Sequence, residues 1–119
     1  MLDFRRMPLG QLILYCPPLL QVVSAEERWA WRELQRRALV EQNQAAWDAL
    51  MTRLWSSVLF WIYECAPEMA PAAAERLAQL TISDFKRQQT QRVNSPADLP
   101  SHDALVNTLK GSIAKLLAE

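Results

Sequence analysis

Catalytic or metal chemistry in this chain would have to be built from Cys16, Cys65, His102 and scattered aspartates, and their spacing supports none of it. The two cysteines stand far apart, outside any Cys-x-x-Cys or Cys/His pattern, and His102 has no cysteine near it in sequence. A zinc site needs four closely set ligands, so none is expected. The thiols read instead as two buried, reduced side chains. Asp48, Asp84 and Asp103 lack a second carboxylate at the spacing of a metal site or an acid–base pair. No glycine-rich phosphate loop occurs, and the chain holds 2 glycines in all. His102, beside Asp103 at a helix start, reads as a surface residue. The expectation is a protein that is not an enzyme and uses no metal and no cofactor.

Binding chemistry is better represented. Arg28, Arg32 and Arg36 recur every four residues and line one edge of a helix. Glu33 and Arg37 stand four apart in the favoured acid-before-base order. A second basic cluster, Lys86-Arg87 with Arg92, ends a later helix. Five tryptophans are present. Trp47, Trp55 and Trp61 fall at helical spacing and are expected in the core. Trp29 and Trp31 are two apart, on different faces, so one of them is expected at the surface as a binding hint. Against nucleic-acid binding stands the charge balance, 13 basic against 13 acidic residues. Affinity for nucleic acid comes largely from phosphate neutralisation, and a neutral chain offers that only through a local patch.

The elements that position these residues are helical. The chain has 119 residues, half of them apolar and 22% charged, which fits one domain with a real core. Ser24-Ala-Glu-Glu27 is a capping box that opens a helix to about Glu41. Asn43 caps the next helix, Gln44 to Cys65. Its inward stripe reads Trp47, Leu50, Met51, Leu54, Trp55, Val58, Trp61, Ile62 and Cys65. Leu59, Phe60 and Tyr63 widen that stripe, so the late part of the helix is expected at the centre of the bundle. Pro67 and Pro71 bracket a turn, and Pro71 suits a first helical position. The helix after it turns Ala74, Leu77, Ala78, Thr81, Ile82 and Phe85 inward. Asn94 to Pro100 is a loop, and a last helix starting at Pro100-Ser101 buries Leu105, Leu109, Ile113, Leu116 and Leu117. The fold class is all-α, a small orthogonal helical bundle of four to five helices.

The first 23 residues form a separate organisational unit, followed by a helical domain over residues 24–119. Arg5 and Arg6 precede an apolar run from Met7 to Val23 that resembles a secretory signal. Pro17-Pro18 splits the run and Gln11 and Gln21 interrupt it, and it is too broken to span a bilayer. It reads as a short helix or arm over Leu9 to Cys16, stopped by the two prolines, that packs on the core. No membrane association is expected, and the location expected is cytoplasmic.

The stretch Glu33-Leu-Gln-Arg-Arg-Ala38, then Gln44-Ala-Ala46-Trp47, Leu50 and Arg53-Leu-Trp55, resembles the segment E-L-V-R-R-A-x-x-G-D-x-x-A-F-x-x-L-Y-x-R-Y of extracytoplasmic-function sigma factors. Pro71 to Lys86 looks like a worn version of that family's P-x-D-A-E-D-L-V-Q-E-V-F-L-R-L-W. The helix Ser101 to Leu117 falls where the family reads S-F-x-x-W-L-x-x-I-A-x-N. The resemblance runs from about Leu34 to the C-terminus and implies a sigma factor region 2-like fold acting in transcription initiation. It implies a core RNA polymerase surface at Arg76, Gln79, Leu80, Ser83 and Arg87, and promoter DNA contacts at Lys86, Arg92, Lys110 and Lys115. The departures are chemical. Of the family's acidic pair only Glu75 survives, followed by Arg76, and Q-E becomes Gln79-Leu80. The strand-opening helix carries His102, Leu105, Asn107, Lys110, Gly111 and Ser112 in place of aromatic and basic groups. Base capture relies on stacking platforms and cationic rails. The alternative reading is therefore a degenerate sigma-like interaction module that binds a regulatory, anti-sigma-like protein and no DNA.

Overall fold

A computed structural model describes residues 3–22 and 24–118 of the chain. Among them the architecture is a small all-α bundle with no strand. Helix α1 (Leu9–Leu12) continues as a 3-10 turn, Ile13–Tyr15, and a second such turn, Leu19–Gln21, follows Pro17-Pro18. Helix α2 (Ala25–Gln35) runs on as a wider π turn, Arg36–Val40. The long helices α3 (Gln44–Cys65) and α4 (Pro71–Arg92) pack on one another, and α5 (His102–Leu117) closes the bundle against both.

Local signals account for the boundaries. Ser24 and Glu27 form the expected reciprocal cap, with Glu27 N donating to Ser24 Oγ at 3.1 Å and Ser24 N to Glu27 Oε1 at 3.0 Å. The helix ends one residue earlier than expected, because Gln42 takes a left-handed backbone (φ 54) that an α-helix does not accommodate, and its last turn is of π form. Asn43 then accepts from Ala46 N and starts α3. Pro71 stands in the first turn of α4, where its missing N–H removes no bond.

One core joins all parts. Leu50, Leu54, Val58 and Ile62 of α3 meet Ala74, Ala78, Ile82 and Phe85 of α4 and Leu105, Leu109 and Ile113 of α5, all buried. Trp47 stacks on Phe85 with centroids 6.4 Å apart. Met7, Leu12, Cys16, Leu19 and Val22 of the N-terminal arm belong to the same cluster. No helix is long and apolar enough to cross a membrane among the described residues.

Several expectations need correction. Phe60 and Tyr63 are exposed, because they sit off the Val58–Trp61–Ile62 stripe on the outer side of α3. The late part of α3 is central through Val58, Trp61 and Ile62, and only its outer side and last turn are peripheral. Cys65 lies on the stripe but closes the helix past its last packed turn, and it is exposed. Met51 is exposed at the stripe's edge, while Trp55, Leu116 and Leu117 are half-buried against the core. Trp47 and Trp61 are buried as expected, and of the Trp29/Trp31 pair Trp31 is buried and Trp29 exposed.

The arm is held by side chains that reach its backbone. Arg37 donates to the carbonyls of Phe4, Arg5 and Met7, and to Glu33 Oε2 at 2.6 Å. Arg53 donates to the carbonyls of Cys16 (2.6 Å) and Ile13 (3.0 Å), and Trp31 Nε1 to that of Pro17 (2.9 Å). Burial alone would raise the Glu33 pKa, but hydrogen bonds from Arg36 and Arg37 outweigh it and hold the carboxyl below its ordinary value. Glu33→Ala leaves Arg37 buried without its counter-charge and should lower the unfolding free energy by about 3–5 kcal/mol in urea denaturation. Because the folded pKa is depressed, the carboxylate's contribution is complete above the ordinary 4.5 and is lost as pH falls through the lower folded value. A Glu33-dependent loss of stability centred above 4.5 would contradict this assignment.

Candidate functional site

Two surfaces combine accessibility with defined chemistry. The first lies between α2, the turn Phe4–Arg6 and the loop before α5. Phe4, Trp29, Pro96 and Leu99 give an open cleft of about 860 Å³ its apolar walls. A second hollow of about 310 Å³ adjoins it, sharing Trp29 and Arg32. Its α2 side carries Arg28, Arg32 and Gln35, spaced four and three apart, a stripe that runs from solvent to interior. Arg28 is exposed, Arg32 half-buried, and Gln35 only 3% exposed. The opposite wall is the start of α5: Ser101, whose Oγ caps Ala104 N at 3.2 Å, then His102 and Asp103.

The polar groups of this hollow are unevenly satisfied. Arg32 donates to the Pro96 carbonyl at 3.0 Å, which ties α2 to the loop. Gln35 Oε1 and His102 Nδ1 are buried without a hydrogen-bond partner. Burial lowers the His102 pKa, the nearby Arg28 lowers it further, and Asp103 opposes both. The imidazole is thus held neutral. His102 is half-buried, not the surface residue expected, because it lines the hollow that faces α2. The Arg28–Arg32–Arg36 edge is also less open than its spacing implies. Arg36 pairs with Glu33 at 2.8 Å and Glu41 at 2.6 Å, which raises its pKa.

The second surface is the outer side of α4. Arg76, Gln79, Leu80, Ser83 and Arg87 are all exposed on one face, with Leu80 at 47% an apolar spot among polar neighbours. Arg87 is paired with Asp84, whose carboxyl is held below its ordinary value by Arg87 and by Ser112 of α5, which donates at 2.8 Å. No family model, no curated protein and no solved structure matches this chain. Its site chemistry has to be read from its own residues.

Lys86, Arg92, Lys110 and Lys115 are exposed but do not form one patch. Lys86 lies over the Trp47 ring at 4.8 Å and Lys110 over the Trp61 ring at 5.2 Å. Those rings are fourteen positions apart on α3, roughly 21 Å along the helix. Among the described residues no three metal-ligating side chains gather. Sequence reasoning misses Gln35 and the approach of His102 to α2. The i, i+4, i+7 spacing of Arg28, Arg32 and Gln35 is a signal for one wall, but the partner wall comes from a segment far along the chain.

Two measurements check this description. Burial pushes the Cys16 thiol up to about 11, with Arg53 offsetting only part of the effect. Iodoacetamide at neutral pH should therefore label Cys65 and leave Cys16 unmodified in the folded protein, and Cys65→Ser should abolish labelling. His102 should titrate by NMR below 6.5, with the midpoint moving up in Arg28→Ala. Since the unfolded chain takes up that proton more readily, stability should fall as pH drops below 6.5 toward the folded midpoint. A midpoint at or above 6.5 would mean that His102 is solvated.

Proposed function

We propose that this chain is a divergent sigma factor region 2-like domain that docks on core RNA polymerase through the outer face of α4. The observation that carries this reading is the accessible row Arg76, Gln79, Leu80, Ser83 and Arg87. It lies on a helix fixed from behind by Ala74, Leu77, Ala78, Thr81, Ile82 and Phe85, all buried. A rigid helix with an isolated apolar spot among hydrogen-bonding neighbours suits a protein partner. The row coincides with the stretch whose resemblance to sigma factors implies polymerase contact. Promoter contact through Lys86, Arg92, Lys110 and Lys115 belongs to the same reading.

The alternative, a sigma-like module that binds a regulatory protein and no DNA, is favoured by a specific observation. Lys86 and Lys110 are drawn onto tryptophan rings well apart, and the chain's charges cancel. A continuous phosphate rail is then missing from the cationic set, so polymerase docking carries more of the proposal than DNA contact.

Capture of purified bacterial core RNA polymerase by the domain, at low and moderate salt, tests the reading. Arg76→Glu combined with Leu80→Asp should abolish capture, with unchanged helicity by circular dichroism, since both side chains are exposed. Arg87 is a poorer probe, because its reversal also breaks the pair with Asp84. Absent capture by the parent domain, or capture indifferent to the double variant, would overturn the assignment.

A further inference from the structure

We propose that the hollow between α2 and the start of α5 is a binding site for a small heteroaromatic anion of the mononucleotide type. Three features of different kind meet there. The first is a place for negative charge. Arg28 and Arg32 stand four apart on one side, and the opening turn of α5, a helix of 16 residues, stands on the other. The amides of His102 and Asp103 have no acceptor within the helix, so they and the helix dipole favour an anion. Asp103 opposes with one negative charge against two positive ones, and the wall keeps a net positive charge.

The second feature is an unpartnered carboxamide oxygen, with an unpartnered imidazole nitrogen on the facing wall. Gln35 is almost wholly withdrawn from solvent (3% exposed), and its Oε1 has no partner. His102 Nδ1, on the facing wall, has none either. Buried polar groups are ordinarily satisfied, and two orphaned atoms on residues that line one hollow point to a shared external partner. The N–H edge of a nucleobase supplies donors, and a carboxamide is a good match for it. Inorganic phosphate alone would satisfy the guanidiniums and leave the Gln35 carboxamide oxygen unmatched.

The third feature is a stacking surface. Trp29 is 64% exposed and stands where the 310 Å³ hollow meets the larger apolar cleft. Its indole presents a flat face to a planar ring, and base–aromatic stacking is tolerant of base identity. The smaller hollow is at the lower end of the size of small-molecule sites, and the adjoining cleft gives a sugar or base room to extend. This site shares no residue with the α4 face, so its failure would leave the polymerase reading untouched.

Isothermal titration calorimetry on the whole chain tests the proposal, with AMP, GMP, CMP and UMP, the matching nucleosides, inorganic phosphate, and a single-stranded oligonucleotide as probes. At least one mononucleotide should bind, with its nucleoside and inorganic phosphate each about tenfold or more weaker, as expected when a charge-assisted contact or the ring contact is lost. Arg28→Ala, at an exposed position, and Gln35→Leu should each weaken that nucleotide by about tenfold. Circular dichroism is expected to find the Arg28 variant folded, so it remains decisive if the Gln35 variant is not. Lack of binding by all four mononucleotides overturns the proposal. Phosphate binding as tightly as the nucleotide (an ion site only), oligonucleotide binding without mononucleotide binding, or unchanged affinity in Arg28→Ala would each overturn it as well.

Discussion

The buried guanidinium of Arg37 is the contact on which the arrangement of this small bundle depends. Pro8, Pro17 and Pro18 break the N-terminal arm into pieces too short to satisfy their own carbonyls. Carbonyls left unpaired against a core are costly, and something else has to donate to them. Arg37 donates to the carbonyls of Phe4, Arg5 and Met7, Arg53 to those of Ile13 and Cys16, and Trp31 to that of Pro17. Of these, Phe4 and Ile13 also accept from the arm's own Met7 and Cys16 amides. A planar group with five N–H donors suits this task, and a lysine would not replace it. Glu33 balances the buried charge and also holds Arg36, so one carboxylate fixes both the arm and the end of α2.

That clamp has consequences for the surface. With the arm fastened along α2, the turn Phe4–Arg6 becomes one wall of the large cleft, and α2 presents Arg28, Trp29 and Arg32 outward above it. The Arg32 bond to the Pro96 carbonyl then ties the loop before α5 to the same helix. His102 and Gln35 come to line one hollow as a result. The two unpartnered atoms follow from packing between segments that each have a separate structural reason to be where they are.

Features governed by near neighbours along the chain are legible in the sequence alone. The Ser24–Glu27 cap, the Asn43 cap, Pro71 at the start of α4 and the inward face from Ala74 to Phe85 all follow from local hydrogen bonding or helical spacing. Expectation and structure part where burial depends on where a helix stops relative to its partners. Cys65 obeys the periodicity of α3 yet is exposed, since the stripe continues past the last packed turn. Phe60 and Tyr63 are apolar enough to suggest burial, yet they sit on the outward side, because apolar character alone does not fix which face a partner covers. The site is legible on one side only. The spacing of Arg28, Arg32 and Gln35 marks a stripe, but the wall facing it is set by the long-range Arg32–Pro96 contact, which no local pattern encodes.

Charge use connects the fold to the choice between partners. The formal balance of 13 basic and 13 acidic residues understates how few cations are available to an outside phosphate chain. Arg36, Arg37 and Arg87 are paired with carboxylates, Arg37, Arg53 and Arg32 hold backbone carbonyls, and Lys86 and Lys110 rest on indole rings. Arg37 and Arg53 fix the arm, and each of the others would have to share or leave a carboxylate, a carbonyl or an indole ring to meet a polyanion. Recognition of an extended nucleic acid needs a rail of uncommitted cations, because each neutralised phosphate adds to affinity by releasing counterions. A protein surface needs only a firm helix face with an accessible apolar spot, and a small anion needs only a few converging donors. The proposed protein partner on α4 and the proposed small ligand in the Arg28 hollow make those two lesser demands, and neither asks for the continuous rail that a stretch of DNA would.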